Sequence, residues 1–212
     1  MDVVLPCLDE AAALPAVLAT LPAGCRAIVV DNGSTDGSPA IAEAHGALVV
    51  HEPRRGYGAA VHTGLLAATS DLVAFSDADG SLALAELPAM ADLLADADLV
   101  VGRRVPVSSG VWPWHARAGN AVISSLLRRR GLNVHDIAPL RVCRREALLA
   151  LDVRDRAFGY PLELLVRAAS AGWRVREVDV TYGPRAAGTR SKVSGSVRGT
   201  LRAARDMAGV LR

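Results

Sequence analysis

The stretch LVAFSDADGSLA, residues 72–83, joins an apolar run to two aspartates, Asp77 and Asp79, and a glycine. A continuous apolar run of this length is typical of a strand that is buried on both faces of a parallel sheet. Two carboxylates so close together raise each other's pKa unless a cation offsets their repulsion. The stretch therefore predicts an α/β fold that brings a positive group, such as a metal ion, to the end of this strand.

The chain around this stretch repeats the same alternation of short β-branched runs with Ala- and Leu-rich helical segments. The predicted strands cover residues 3–6, 27–31, 47–51, 72–77 and 98–102, and the predicted helices cover residues 10–21, 36–46, 56–69 and 84–96. Such an alternation predicts a mostly parallel central sheet with helices on both faces. The carboxyl ends of its strands meet at one edge, where open α/β folds bind their ligands.

After residue 103 the pattern changes. Two more helices are predicted at residues 115–131 and 160–173, followed by an alternating strand at 174–182. A basic loop and a terminal helix complete the chain. We expect these segments to fold over the carboxyl ends of the strands.

Composition narrows the class of protein. With 24 basic and 22 acidic residues in 212, the net charge of +2 argues against a general nucleic-acid binder. The three cysteines have no CxxC spacing, which favours neither a disulfide framework nor a zinc site. The chain begins without a basic signal region, and no apolar run approaches the ~18 residues of a membrane span. We expect a cytoplasmic protein that can still lie on a membrane.

Taken alone, the Asp77–Asp79 pair has a simpler explanation, because Asp-Gly pairs often cap a turn and the helix that follows. Other classes of aspartate or glycine motif fit less well. The chain lacks the further ligands of a calcium loop and the G-x-x-x-x-G-K-[ST] phosphate loop. The segment GYGAAVHTG, residues 56–64, lacks the third glycine of a dinucleotide-binding turn and follows the third strand.

The order of several short motifs favours a functional role for the Asp77–Asp79 pair over a simple turn cap. VVLPCLDEAAALPAVLATL, IVVDNGSTDGSPAIA, GYGAAVHTGLLAA, FSDADG and VVGRR follow one another along the chain. With this ordered set, the sequence resembles the family 2 glycosyltransferases of the GT-A nucleotide-diphospho-sugar fold, and most of all their dolichyl- or polyprenyl-phosphate mannose synthase-like branch. The resemblance covers nearly the whole chain. It implies one domain, 1–212, with a nucleotide-sugar-binding half (1–103) and an acceptor-binding half (104–212).

The resemblance also implies roles for individual residues. Pro6 and Glu10 match the opening motif that holds the base and ribose, and Asp31 matches an aspartate that contacts the nucleoside. Asp77 and Asp79 match the D-x-D pair that binds Mg²⁺ or Mn²⁺. Of the two, Asp79 is expected to bind the metal directly, with Asp77 closer to the ribose and the metal's waters.

Arg103, in VGRR, matches an arginine beside the sugar-diphosphate. Two positions depart from the common pattern of the family. Asp9 stands where an asparagine is usual, and Asn32 replaces a frequent second aspartate. Both changes are mild and leave the resemblance intact.

The second half of the chain bears on the acceptor. A hydroxyl acceptor needs a general base near the anomeric carbon, and the base motifs common in such enzymes are absent from this sequence. A lipid monophosphate is already an anion and needs no base. Arginine grips phosphate oxygens bidentately, so a cluster of Arg, Lys and Ser around glycines is suited to hold it.

The candidate acceptor residues form three groups. They are Asp136 and Arg141 in HDIAPLR, Glu163 in GYPLELL, and Arg185, Ser191 and Lys192 in PRAAGTRSK. The last segment resembles an R-x-x-G-x-S-K motif of the polyprenyl-phosphate enzymes, with one extra residue. Each group has a simpler explanation: a helix cap for Asp136, an arginine partner for Glu163, and a solvated basic tail for the cluster.

The helix at 115–131 and the terminal helix both mix apolar residues with arginines. Such helices can lie among lipid headgroups, although ordinary packing against the core explains either one equally well. We expect peripheral contact with the inner face of the plasma membrane.

The sequence thus predicts an inverting, metal-dependent enzyme that moves a hexose from GDP-mannose or UDP-glucose to a polyprenyl phosphate. A hydroxyl acceptor with Asp136 as base is the alternative, and a non-catalytic nucleotide-sugar-binding module is the second.

Overall fold

The computed structural model describes residues 1–137, 139–189 and 197–210. Its strands are β1 (Asp2–Cys7), β2 (Arg26–Asp31), β3 (Leu48–His51), β4 (Leu72–Phe75), β5 (Leu99–Pro106), β6 (Arg141–Arg144) and β7 (Val175–Tyr182). They form one sheet in the order β3-β2-β1-β4-β6-β5-β7. The predicted α/β class is confirmed.

The helices are α1 (Leu14–Ala19), α2 (Ser38–Ala44), α3 (Tyr57–Ala67), α4 (Leu87–Asp92), α5 (Trp114–Arg129), α6 (Arg145–Ala150), α7 (Tyr160–Ser170) and α8 (Val197–Val210). The helix predicted at 84–96 is three short pieces, because 3₁₀ turns at Leu84–Glu86 and Leu93–Ala95 flank α4. Across the described ranges, none of these helices is long and apolar enough to cross a membrane.

Strands β1, β2, β3 and β4 are parallel, as are β5 and β7. Strand β6, which the sequence did not predict, runs antiparallel between β4 and β5. It has only four residues and begins and ends with arginine, so its hydrophobic pattern is too short to predict a strand. The sheet is therefore mixed, although mostly parallel.

Apolar cores cover both faces of the sheet, as predicted. Leu14 of α1 and Leu87 of α4 are fully buried on one face, and Leu65 of α3 and Leu165 of α7 on the other. Complete burial of a leucine side chain stabilises the fold by about 1.5–3 kcal/mol. These two layers hold the strand ends in place.

Glycines let the start of α3 approach the segment 155–158. The N–H groups of Gly58 and Ala59 donate to the carbonyls of Ala157 and Arg156, both at 2.9 Å. A Cβ on Gly58 would lie 2.7 Å from the Asp155 carbonyl oxygen. Gly56 and Gly58 therefore serve close backbone packing, and the N–H groups of Gly58 and Ala59 are occupied by protein.

Candidate active site

A cavity of about 530 Å³ opens at the carboxyl ends of β1 and β4. One part of its wall is polar and is formed by Glu10, Asp77, Asp79, Arg104 and Arg185. The other part is mainly apolar and is formed by Ile137, Pro139, Phe158 and Pro161 and by α8, whose Arg202 also lines the cavity. The predicted meeting of strand ends thus produces a cavity with two chemically different sides.

Asp77 and Asp79 lie in the turn that follows β4, at the polar side. Asp79 is 2% exposed, and its Oδ1 accepts a 2.9 Å hydrogen bond from the Ser81 amide. Its Oδ2 lies 2.6 Å from Nη1 of Arg185. Burial, and next the charge of Asp79, raise the pKa of Asp77 to about 6. Asp77 and Asp79 therefore concentrate negative charge at this point, and the Arg185 guanidinium offsets part of it.

These residues fit a divalent metal that shares its coordination with a substrate. Among the residues in the described ranges, no group of three or more His, Cys, Asp or Glu side chains could hold a metal. Mg²⁺ and its relatives are commonly held by one or two carboxylates together with waters and substrate phosphates. The Asp77–Asp79 pair could supply the protein's share of such a site.

Arg185 belongs to a loop that lies along the Asp79 turn. The amide of Ala186 donates to the carbonyl of Asp79 at 2.9 Å, and the amide of Gly183 donates to the carbonyl of Ser81 at 2.8 Å. The structure thus brings the predicted Arg185 beside the predicted metal residues. Ser191 and Lys192, predicted with it for the acceptor phosphate, lie outside the described residues.

Arg103 and Arg104 point to opposite faces of β5, because side chains alternate along a strand. Arg104 lines the cavity. Arg103, predicted beside the sugar-diphosphate, instead pairs with Asp179 of β7 at 2.6 Å and borders a separate open hollow. The motif VGRR did indicate an arginine, and the one of the pair that lines this cavity is Arg104. Sequence alone does not reveal which set of alternate residues along β5 faces the cavity.

Asp136 is fully buried beneath Arg104. Its Oδ2 accepts from Nε and its Oδ1 from Nη2 of Arg104, at 2.8 and 2.7 Å, and Oδ2 also accepts from the Arg104 amide at 3.0 Å. Asn120 of α5 binds the backbone of His135 and Ile137 on either side. The Asp136 carboxylate thus does not line the cavity. It holds Arg104, which does.

Two further predicted residues do not line the cavity. Arg141 is 3% exposed, and its guanidinium donates to the carbonyl of Ile137. Burial lowers the pKa of Arg141. Glu163, on α7, accepts from the amide of Asp155 at 2.6 Å and from Arg167 at 2.5 Å. Glu163 thus fixes the segment after α6, which agrees with the alternative of an arginine partner.

The opening motif lies at the same cavity. Pro6 and Glu10 both line it, and Glu10 is 7% exposed. The Glu10 amide donates to the hydroxyl of Ser38 at 3.0 Å. Asp9, with a φ of 53°, donates from its amide to Ser34. These bonds tie the end of β1 to the loop after β2 and thereby position Glu10.

Asp31 is not among the lining residues of the cavity. Its Oδ1 accepts from the Ser34 amide at 2.9 Å, and its Oδ2 lies 3.2 Å from Nδ1 of His51. Burial raises the pKa of Asp31, but the hydrogen bonds from Ser34, His51 and Gly33 outweigh it and hold the pKa below its usual range. Asp31 shapes the turn after β2, next to the cavity.

Asn32, the departure from the family pattern, lines the cavity and organises the segment that leads to α3. Its Nδ2 donates to the carbonyls of Glu52 and Arg54 at 2.9 and 2.8 Å. Its Oδ1 accepts from the Gly56 amide at 2.8 Å. An aspartate has no N–H donor for the two carbonyls, so this pattern of bonds requires the amide.

The apolar side of the cavity was not predicted. Ile137, Pro139, Phe158 and Pro161 line it together with Met207 of α8. These residues come from segments far apart in the chain, so no local motif indicates them. The apolar side shares one cavity with the carboxylate and arginine side.

Comparison with known proteins identifies the family of the chain. Residues 2–151 match the model of Glycosyl transferase family 2. An uncharacterized glycosyltransferase of Mycobacterium tuberculosis is 62% identical over 208 residues, covering 97% of this chain and 95% of its own. Polyprenol monophosphomannose synthase of Mycolicibacterium smegmatis is 33% identical over 221 residues, covering 92% and 81%.

A solved structure shares the fold. Glucosyl-3-phosphoglycerate synthase of Mycobacterium tuberculosis, in complex with Mn²⁺, UDP and glucosyl-3-phosphoglycerate, aligns with a TM-score of 0.76 at 24% identity, covering 99% of this chain and 77% of that one. The GT-A fold is confirmed, and so is the resemblance to the polyprenyl-phosphate mannose synthase-like branch. The chain belongs to glycosyl transferase family 2.

Proposed function

We propose that this glycosyltransferase moves a hexose from a nucleotide-diphospho-sugar to a polyprenyl phosphate, with inversion at the anomeric carbon. The observation that carries the proposal is the two-sided cavity. Its polar side holds the Asp77–Asp79 pair, Arg104 and Arg185, and its apolar side is formed in part by Phe158 and Met207. A lipid phosphate needs both sides, because its headgroup is anionic and its chain is apolar.

The donor end fits the polar side. Glu10 and Pro6 line this cavity and are our candidates to bind the base and ribose. A Mg²⁺ or Mn²⁺ ion on Asp79, with Asp77 beside it, would neutralise the diphosphate as it leaves. Arg104 adds a fixed positive charge at the same place. Glucosyl-3-phosphoglycerate synthase, which shares the fold, is solved in complex with Mn²⁺ and UDP together.

The chemistry then needs no proton transfer. An oxygen of the lipid phosphate forms a bond to the anomeric carbon while the bond from that carbon to the β-phosphate oxygen breaks. The electron pair leaves with the nucleoside diphosphate. Arg185 is placed to hold the attacking phosphate, since its guanidinium lies at the Asp79 turn.

A hydroxyl acceptor is less well supported. It would need a base at the anomeric carbon, and Asp136 was the predicted candidate. That carboxylate is 0% exposed, with both oxygens bound to Arg104. The name of the Mycolicibacterium smegmatis relative, polyprenol monophosphomannose synthase, also favours a lipid phosphate.

The acceptor class is tested with a panel of acceptors at a fixed donor. The purified protein is incubated with Mn²⁺, radiolabelled GDP-mannose or UDP-glucose, and either a short polyprenyl phosphate, the matching polyprenol, or 3-phosphoglycerate. We expect transfer to the polyprenyl phosphate alone. Transfer to the polyprenol or to 3-phosphoglycerate would instead support a hydroxyl acceptor. Binding of the nucleotide-sugar without transfer to any acceptor would support the non-catalytic module.

We further propose that α5 contacts the membrane from which the lipid is taken. Trp114 and Val122 are 80% and 63% exposed, whereas Leu127 is buried in the core. Arg117 and Arg129 are also exposed on α5, and a basic residue near an anionic surface adds about 1 kcal/mol to binding. In a sedimentation assay with phosphatidylglycerol vesicles, a smaller fraction of the Trp114→Ser/Val122→Ser variant than of the wild type should sediment with the vesicles. Unchanged sedimentation of that variant contradicts this contact.

A further inference from the structure

Arg104 is enclosed by aromatic rings as well as by its carboxylate partner. Its Cζ lies 4.1 Å from the centre of the Trp112 ring and 5.5 Å from that of Tyr182. The two rings meet edge to face, with their centres 6.0 Å apart. Only 16% of the Arg104 side chain is exposed. A guanidinium in contact with an aromatic face is stabilised most when water is excluded from it.

Within the described part of the chain, the hydrogen bonds of Arg104 leave one edge of the guanidinium for a ligand. The bonds to Asp136 use Nε and Nη2. A guanidinium has five N–H donors in a fixed plane, so the edge formed by Nη1 and the second N–H of Nη2 remains. Because Arg104 lines the cavity beside Asp77 and Asp79, this edge suits the planar, bidentate recognition of a phosphate group.

Trp112 is well placed to fix the plane of that guanidinium. The Val107 amide donates to the carbonyl of Tyr182 at 3.0 Å, which continues the pairing of β5 with β7 past Pro106. The chain then turns back, so that Trp112 reaches Arg104 of β5. Trp112 then packs against the core as well as against Arg104. The ring is not among the residues that line the cavity, so any effect on a ligand must pass through Arg104.

We propose that Trp112 is a positioning residue, which stacks on Arg104 and holds its free edge toward the diphosphate of the donor. The inference rests on the proposed function, because it requires that a nucleoside diphosphate binds in the cavity. It adds a residue that no motif indicated. Asp136 fixes one edge of the guanidinium, and Trp112 fixes the orientation of its plane.

The test measures binding of GDP and UDP by calorimetry, each with Mn²⁺, to variants of the full chain. Trp112→Leu removes the aromatic face and should weaken the better-bound nucleotide about 3- to 10-fold. Trp112→Phe keeps a ring and should restore most of that loss. Trp173→Phe is the matched control, because Trp173 packs against the apolar core on the other face of the sheet and is not among the residues that line the cavity; its affinity should equal that of the wild type.

Coupling to Arg104 separates positioning from simple structural support. In an Arg104→Gln background, Trp112→Leu should cause no further loss of affinity. The inference is overturned on its own if the wild type binds nucleotide, Arg104→Gln weakens binding, and Trp112→Leu changes only the melting temperature. Additive losses in the double variant also overturn it. If the wild type binds neither nucleotide, both the inference and the proposed function fail.

Discussion

Both carboxylate oxygens of Asp136 accept hydrogen bonds from Arg104, at 2.8 Å from Nε and 2.7 Å from Nη2 of the guanidinium. This bidentate contact joins a fully buried carboxylate to a side chain that lines the cavity. The sequence indicated Asp136 as a possible base, but in the structure its carboxylate holds Arg104 in place. The two possible roles of Asp136, general base and support of Arg104, predict different kinetics for its variants.

Replacement of Asp136 by asparagine should raise the KM for the donor sugar and leave kcat largely intact. A charge-assisted hydrogen bond is worth about 1.5–3 kcal/mol, so we expect kcat/KM to fall about 10- to 100-fold. Steady-state kinetics with a short polyprenyl phosphate measures both constants. A fall in kcat of about 10²–10⁴-fold, the usual contribution of a general base, at unchanged KM would show that Asp136 is the base after all.

Replacement of Arg185 by alanine should weaken binding of the acceptor phosphate. An arginine–phosphate contact is charge-assisted, and its loss should raise the KM of the acceptor about tenfold or more. Arg176→Ala is the control, because Arg176 borders the separate hollow near Arg103. An equal acceptor KM for both variants would remove Arg185 from the acceptor site.

Two glycine-to-alanine changes should have opposite effects on stability. A Cβ on Gly58 would lie 2.7 Å from the Asp155 carbonyl oxygen and 2.8 Å from Cβ of Tyr160. We expect Gly58→Ala to destabilise the protein by about 1–3 kcal/mol. On α5, a Cβ on Gly119 would meet nothing within 4 Å, so Gly119→Ala should stabilise it by up to about 1 kcal/mol. Urea unfolding measures both, and a neutral Gly58→Ala would contradict the close packing.

Asp2 should make the fold sensitive to acid. It is fully buried, and although burial raises its pKa, hydrogen bonds from Arg26, Ser70 and Thr69 hold the pKa well below the usual range. A carboxyl with a depressed folded-state pKa contributes stability that is present above its unfolded pKa of about 4 and is lost as the pH falls toward the folded value.

Asp2→Asn should therefore cost about 2–3 kcal/mol at pH 7 and flatten the loss of stability below about pH 5. The exposed Asp71 is the matched control, and Asp71→Asn should leave the pH profile unchanged. Equal acid sensitivity of the wild type and Asp2→Asn would show that other carboxyl groups dominate.

The sequence predicted the layered α/β fold and the grouping of Glu10, Asp77, Asp79 and Arg185 well. Continuous apolar strands and the ordered motifs are local signals, and the ends of parallel strands must converge. Strand β6 was missed because four residues carry little periodicity. Arg103 was predicted where Arg104 lies, because alternation along β5 is visible in sequence but its direction depends on the neighbouring strands and loops.

Other features depend on contacts between distant segments. Phe158 and Met207 line the same cavity because α7 and α8 pack together. Trp112 reaches Arg104 because the chain folds back over β5. In each case the side chain is ordinary in sequence, and its role follows from which segment it contacts.

The measurement that tests the central claim most directly is metal-dependent transfer from GDP-mannose and UDP-glucose to a short polyprenyl phosphate, by the wild type and by Asp79→Ala. Asp92→Ala, a change on α4 away from the cavity-lining residues, is the control. We predict product with one donor in Mn²⁺ or Mg²⁺, its loss on chelation and in Asp79→Ala, and normal activity in Asp92→Ala. Undiminished transfer by Asp79→Ala, or donor hydrolysis with no lipid product, would contradict the account.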